Sequence, residues 1–346
     1  MRKLASIQEI SAIDPIPGAD AIEVARILGW NVVVKKGQFK PGDIVTYCEI
    51  DSLLPEREEF EFLRKNCFVN NYGFKGFRIR TAKLRGQISH GIAFPLDILP
   101  GGRAYYVGED VTDLLDIQKY EKPIPMPARA MIRGNFPSFI PKTDEMRIQA
   151  VPRVLERNAG KQFYVSEKLD GTSMTVFRDA ETGMHVCSRN MDLKPDYVHK
   201  WNGSSYWHYA VSHGLEELLK TLGNVALQGE LIGPGIQDNR YQLRDYQYRV
   251  FNVYDIENGR YMESQAIQDM VEAFGLGKNF LVPYVSEIEL SHTVDDLIEM
   301  AKGKSTLCDR PREGLVFRAV PEGIDQELGR LSFKAINSDF LLKWGE

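Results

Sequence analysis

The sequence predicts an α+β protein in two parts: an N-terminal OB-like β-barrel over residues 1–115, then a mixed domain over residues 143–346. Three observations predict it. Short alternating or β-branched segments recur with turn signals between them through the first 115 residues. Beyond residue 146, strand-like runs are separated by helical stretches. Between the two lies a proline-rich, mixed-charge segment, 116–142, with neither period, which reads as a connector. A chain of 346 residues, 43% hydrophobic and 26% charged, is long enough for two cores.

In the first part ASIQEISAI, IEVARIL, NVVVKK and DIVTYCEI are separated by PIPGAD, GW and GQFKPGD and followed by DSLLPE. That cadence is a small barrel, for which the OB-fold is a common solution. Residues 65–91, KNCFVNNYGFKGFRIRTAKLRGQISHG, hold six Lys or Arg and no acid, interleaved with Phe68, Tyr72, Phe74 and Phe77. Such a face can pair phosphates and stack on bases, making Lys75, Arg78, Arg80, Lys83 and Arg85 candidate nucleic-acid contacts. The alternative is that Phe74 and Phe77 point into the core and the charges are simply solvated.

In the second part QFYVSEKL, SMTVFRD, MHVCSRN, VALQGELIG, YRVFNVYDI, GLVFRAV and LSFKAI read as strands, and YWHYAVSHGLEELLKTLG and AIQDMVEAFGLG as helices. The cluster WNGSSYWHY (201–209) reads as a helix start, or as a cover over an active site.

Composition excludes several classes. No apolar run reaches the roughly 18 residues of a membrane span, and the N-terminus lacks a signal-peptide pattern, so a cytoplasmic protein is expected. Cys48, Cys67, Cys187 and Cys308 form no CxxC pair, which argues against a zinc ribbon or a disulfide framework. His90, His185, His199, His208, His213 and His292 show no metal-ligand spacing. A net charge of −5 forecasts no obligate nucleic-acid protein, although a global sum hides a local patch.

The chemistry centres on YVSEKLDGTSMTVF, 164–177, where a strand ends in a lysine, an acid and a tight turn. A lysine of ordinary pKa, about 10.4, is neutral in roughly one molecule per thousand or fewer at pH 7. Asp170 alone would favour the ammonium form of Lys168 further. A divalent cation held by Asp170 would do the reverse and make Lys168 a nucleophile. A surface Lys–Asp pair at a hairpin is the plain alternative.

Five further blocks follow in order: SRN (188–190), GELIGPGIQ (229–237), FNVYDI (251–256), REGLVFR (312–318) and SFKAIN (332–337). With EKLDGTS, which is similar to the lysine motif KxDG, they make the chain resemble the covalent nucleotidyltransferase superfamily of ATP-dependent ligases and capping enzymes. The resemblance implies a nucleotidyltransferase (ligase adenylation) domain of antiparallel sheets with flanking helices at 143–346. It implies ATP as substrate and Mg²⁺ or Mn²⁺ as the metal, which suits hard carboxylate ligands. By the same resemblance Lys168 attacks the α-phosphate, and Glu167 and Arg189 belong to the ATP and AMP site. Glu230 binds ribose and stands near metal, and Phe251 stacks on adenine. Glu313 acts with Asp170 at metal, and Lys334 contacts the α-phosphate.

The block GELIGPGIQDNRY and a barrel preceding the catalytic domain resemble the nick-sealing RNA ligases with an N-terminal OB domain. In that group an arginine about twenty residues ahead of the nucleophile binds the phosphate end, and Arg147 fits. The chain ends twelve residues after Lys334 with no OB domain behind it, an expectation against DNA ligases and capping enzymes. Two positions depart from the pattern: Ser332 stands where many relatives carry lysine, and Ser173 where some carry asparagine. The resemblance thus implies a monomeric RNA ligase whose partner is a nicked duplex with RNA on the 3′-hydroxyl side, in RNA repair. Its rivals are a DNA or mixed-strand ligase, a degenerate nucleic-acid-binding protein and a GTP-dependent enzyme.

Overall fold

One long strand organises the N-terminal domain. Ala5–Pro15 pairs antiparallel with Ile44–Cys48 through its first half and with Ile22–Ile27 through its second, and a bulge at Ile10/Ala12 marks the change of partner. A bulge bends and twists a strand locally, which is how one strand serves both sides of a barrel. The sheet order is Ile92–Phe94, Ile44–Cys48, Ala5–Pro15, Ile22–Ile27, Trp30–Lys35. Its two ends are drawn together where His90 N donates to Asn31 O at 2.8 Å and Val33 N to Ser89 Oγ at 2.9 Å. Ile10, Ile27, Trp30, Val32, Val45 and Tyr47 fill the interior. This is the barrel that the alternating segments predict. The computed structural model describes residues 2–71, 73–121, 131–195 and 205–344. Tyr72, His199, residues 201–204 of the aromatic cluster and residues 122–130 lie outside the described residues.

The second domain is two sheets flanked by helices. One has seven strands, in the order Ile132–Asn135, Met191–Leu193, Gly183–Cys187, Thr172–Asp179, Val225–Ile232, Gln247–Asp255, Arg260–Tyr261. Helices Ser205–Ser212, Leu215–Leu222 and Ser264–Ala273 cover it, burying Met174, Val176, Leu227 and Val250 with Trp207, Leu219 and Met270. The other has five strands, in the order Met146–Arg147, Ser332–Ile336, Gly314–Val320, Gln162–Lys168, Tyr284–Glu289. Helix Val294–Ala301 packs on it through Leu297 and Ala301, against Phe163, Phe317 and Phe333. All pairings are antiparallel except that of Met146–Arg147 with Ser332–Ile336.

Among the elements the sequence reading passed over are the edge strand Tyr284–Glu289, the helix Val294–Ala301 and the final helix Ser338–Trp344. The second carried a signal, because Thr293 and Asp296 form a capping box that satisfies two orphan donors at the helix start. The segment expected as a connector is drawn into both domains. Gln118–Lys119 pairs with Ser52–Leu54, and Ile132–Asn135 with Met191–Leu193. The single predicted helix over 206–223 breaks at Gly214, which takes a left-handed φ of 64°.

The domains touch directly. Gly29 N donates to Gln149 O at 2.9 Å, Arg26 pairs with Asp295 at 3.0 Å, and Ile50 packs against Ile336 and Leu341. Among the described residues no helix is long and apolar enough to cross a membrane.

Residues 168–172 carry the chain from one sheet to the other. Lys168 makes the last pair of its strand, with Gly314, and Thr172 the first of the next, with Leu231. Two glycines permit this. A Cβ on Gly171 would lie 2.5 Å from Leu231 O, and one on Gly314 would lie 2.3 Å from Ala335 O. Gly314→Ala should therefore force neighbouring strands apart and destabilise the fold by about 2 kcal/mol, lowering the melting temperature by roughly 5 °C. Calorimetric unfolding checks this; an unchanged melting temperature would contradict the close approach.

Candidate active site

Where the two sheets meet they leave a cleft of about 320 Å³. Alternation along a strand sends every second side chain to the same face, so separate strands supply one wall each. Lys168 ends its strand at the cleft, and Glu313 sits just before the strand beside it. Lys334 lies on the next strand, and Arg147 is its register partner in the parallel pair. From the seven-stranded sheet come Glu230 on Val225–Ile232 and Phe251 on Gln247–Asp255. Arg189 follows Gly183–Cys187. All of these, with Glu167 and Asp170, line the one cleft.

The charges are paired with care. Lys168 Nζ lies 2.6 Å from Glu313 Oε1, with Glu313 only 2% exposed and the lysine side chain 25% exposed. Asp170 pairs with Arg240, and its backbone N–H donates to the Tyr241 hydroxyl oxygen at 2.7 Å. Glu230 Oε1 accepts from Gly171 N at 3.1 Å, tying the second sheet to the crossover. Arg189 Nη2 donates to both oxygens of Asp144, at 2.7 and 2.9 Å. Burial pushes the Asp144 carboxyl up, but Arg189 outweighs it and holds the group below the usual range. Glu167 Oε2 accepts from Thr306 N and Oγ1, both at 2.8 Å, anchoring a loop of the far wall. Its other oxygen, Oε1, is buried with no hydrogen-bond partner among the described residues.

Lys334 makes no ion pair among the described residues. Burial first, then the positive charges of Lys168 and Arg147, push its ammonium down to about 8. Arg318, 4% exposed, lies 5.6 Å from the Phe251 ring centroid, and Glu145 is its nearest acid at 3.6 Å. Burial lowers its pKa. The cleft thus gathers cations where a polyanion would sit.

Sequence reasoning assigned nothing to Arg240, Tyr241, Arg318 or Asp144. Arg240 and Tyr241 stand in the block GELIGPGIQDNRY, whose polar end was the available signal. They reach the site through Gln237, Asp238 and Asn239, all with left-handed φ of 44°, 56° and 46°. Such backbone costs of order 1 kcal/mol or more per residue and clusters at functional sites. Asn239 steadies the turn by donating to Leu243 O at 2.8 Å and accepting from Leu243 N at 3.0 Å.

The basic stretch divides. Lys75 pairs with Glu56 at 2.6 Å. Arg78 is 15% exposed, 3.6 Å from Asp51 and 4.3 Å from the Tyr120 ring centroid, so it is largely covered on the face of its strand opposite Phe77. Phe77 is fully buried and Phe74 lies against Tyr120. Arg80 is exposed and donates to Asn66 O at 3.4 Å. Lys83 and Arg85 are exposed on the hairpin Ala82–Leu84/Gln87–Ser89. An acid-free stretch of sequence is not acid-free in space, because Asp51 and Glu56 come from outside it.

Among the described residues no three His, Cys, Asp or Glu side chains form a ready-made metal cluster. Asp170, Glu230 and Glu313 still offer hard oxygen donors beside the phosphate-sized space. That set fits Mg²⁺ or Mn²⁺ entering with a nucleotide, since such ions are commonly held by one or two carboxylates plus substrate phosphates.

An OB-fold domain model matches residues 4–96 and an RNA ligase model residues 161–336. The chain superposes on an apo mutant of Naegleria gruberi RNA ligase with a TM-score of 0.88 at 39% identity, covering 99% of this chain and 98% of that one. The chain belongs to the RNA ligase family. The Naegleria gruberi RNA ligase with pyrophosphate matches at TM-score 0.88 and 39% identity, covering 99% of each chain. A mutant of it with ATP and manganese matches at 0.88 and 38%, again over 99% of each. No curated protein sequence matches significantly.

For this RNA ligase the low pKa of Lys334 has a measurable consequence. Charged Lys334 costs stability in full below about pH 8, and the cost is relieved as pH rises from about 8 towards the ordinary lysine value of 10.5. Phosphates bound beside Lys334 would restore its ammonium form. Binding of α,β-methylene-ATP at about pH 9 should therefore take up protons, seen calorimetrically as a buffer-dependent enthalpy. The uptake should be small at about pH 6.5 and absent in Lys334→Met.

Proposed function

We propose that this ATP-dependent RNA ligase seals 3′-hydroxyl/5′-phosphate breaks at nicks in duplexes, in RNA repair, through a covalent lysyl-AMP. The observation that carries the reading is Lys168 Nζ, held 2.6 Å from Glu313 in a cleft that also gathers Lys334 and Arg147. The Naegleria gruberi complexes with ATP and Mn, with AMP and Mn, and with pyrophosphate support it.

The chemistry runs in three transfers. Neutral Lys168 Nζ attacks the ATP α-phosphorus, forming an N–P bond as the bridging P–O bond breaks and pyrophosphate leaves, and the nitrogen gives up one proton to solvent. Lys334 and Arg147 stabilise charge on the transferring phosphate, and Glu313 turns from the lysine to the cation that enters with the nucleotide. The oxygen of an RNA 5′-phosphate then attacks the AMP phosphorus; the N–P bond breaks and Lys168 recovers a proton. Finally the 3′-hydroxyl oxygen attacks the 5′-phosphate, making the phosphodiester and releasing AMP. Mg²⁺ or Mn²⁺, held by Asp170, Glu313 and Glu230, supplies charge neutralisation on the phosphates when bound. Phe251 stacks on adenine, Arg189 contacts the ribose side, and Glu167 Oε1 offers an acceptor to the base.

Incubation with α-labelled ATP should leave label on the denatured wild-type chain and none on Lys168→Ala. Absence of label from wild-type enzyme first stripped with pyrophosphate would sink the reading. Exposed Arg80, Lys83 and Arg85 are proposed to grip the duplex beside the nick. Reversing Lys83 and Arg85 should weaken nicked-RNA binding and lower the salt slope by about 2, with adenylylation intact. Binding unchanged in a salt titration would place the duplex elsewhere.

A further inference from the structure

One short segment holds Asp170 and its neighbour from several directions. Arg240 Nη1 pairs with the carboxylate, the Tyr241 hydroxyl accepts from Asp170 N, and Gln237 Nε2 donates to Gly171 O at 3.3 Å. The Arg240 side chain is 12% exposed. Its guanidinium also lies 4.9 Å from the ring centroids of both Phe340 and Trp344. Those rings are one helical turn apart on Ser338–Trp344, with centroids 4.6 Å from each other.

A guanidinium is weakly hydrated and stacks well on aromatic faces, so Arg240 has two sets of partners within reach. Asp170 has two as well. A buried carboxylate left alone is costly, and an arginine is the cheapest stand-in while no cation is present. The same carboxylate cannot give its oxygens fully to Arg240 and to a divalent ion together.

We propose that Arg240 is a positioning latch for Asp170: it occupies the carboxylate while the cleft is empty and yields it to the metal–nucleotide, remaining on Phe340 and Trp344. The inference rests on reading Asp170 as a metal-facing acid. It makes metal binding depend on the nucleotide's arrival, because a lone cation must displace an ion pair without the help of phosphates. It also ties Asp170 to the helix that directly follows the Lys334 strand.

The test is calorimetric binding of α,β-methylene-ATP, which cannot transfer AMP, with Mn²⁺ and with EDTA. The ratio of the two affinities measures what the metal adds. Arg240→Gln should raise that ratio by at least about threefold over wild type, and Arg240→Lys should stay near wild type. Asp170→Asn should lose most of it. An unchanged or lower ratio in Arg240→Gln overturns the latch.

A second readout is taken on the wild-type protein, with Arg240→Lys serving only to assign the signal. The guanidinium Nε–H signal that is missing from the Arg240→Lys spectrum should shift on adding the Mg²⁺ complex of the analogue, and stay in place with the analogue in EDTA. A signal that ignores the metal complex also overturns the latch. A wild-type protein that gains nothing from Mn²⁺ overturns the metal reading of Asp170 itself, and the latch with it.

Discussion

The passage of the backbone between sheets at residues 168–172 is the constraint on which the site depends. A strand that ended one residue earlier or later would turn Lys168 to the opposite face, because side chains alternate. Pairing of Lys168 with Gly314 and of Thr172 with Leu231 fixes both ends of the crossover. Gly171 lets the chain pass Leu231 where a Cβ would collide. Once that register is set, Glu313 arrives just ahead of the strand beside Lys168, Lys334 from the strand beyond that one, and Glu230 from the strand beside Thr172. The sites of nucleophile, acids and cations are consequences of strand order.

The same geometry explains why the end of the five-stranded sheet differs from the rest. Met146–Arg147 joins it parallel, which sets Arg147 directly beside Lys334. Two like charges on neighbouring strands are destabilising in an empty protein. The domain accepts that cost where a substrate phosphate would sit. Asp51, from the barrel, approaches Arg147 at 3.8 Å and also Arg2 and Arg78, so the N-terminal domain shares in balancing the cleft.

Much of this was legible in the sequence because it is encoded locally. The barrel strands announce themselves through alternation and turn residues, and the chemical blocks through short fixed spacings such as that of Lys168 and Asp170. What escaped reading depends on pairs distant along the chain. Arg240 is seventy residues from Asp170, and nothing in the period of either segment links them. Arg78 read as part of a basic face, yet Asp51 and Tyr120 cover it, and neither lies in the basic stretch. The helix Val294–Ala301 is the exception, since its capping box is a local signal that could have placed it.

Charge balance gives the cleft its character. Lys168 and Asp170 each have a partner of opposite sign, as does Arg189, while Lys334 faces mainly positive neighbours. A triphosphate changes every term at once. On the proposed reading it would supply anionic oxygens to Lys334 and Arg147, and the cation that travels with it would compete for the acids that hold Lys168 and Arg240. Releasing Lys168 from Glu313 is what a nucleophile requires, since an amine held as an ammonium by a carboxylate has no lone pair to offer. On the proposed reading, substrate binding and activation of the lysine would be one electrostatic event, starting from the ion pairs of Lys168 with Glu313 and of Asp170 with Arg240.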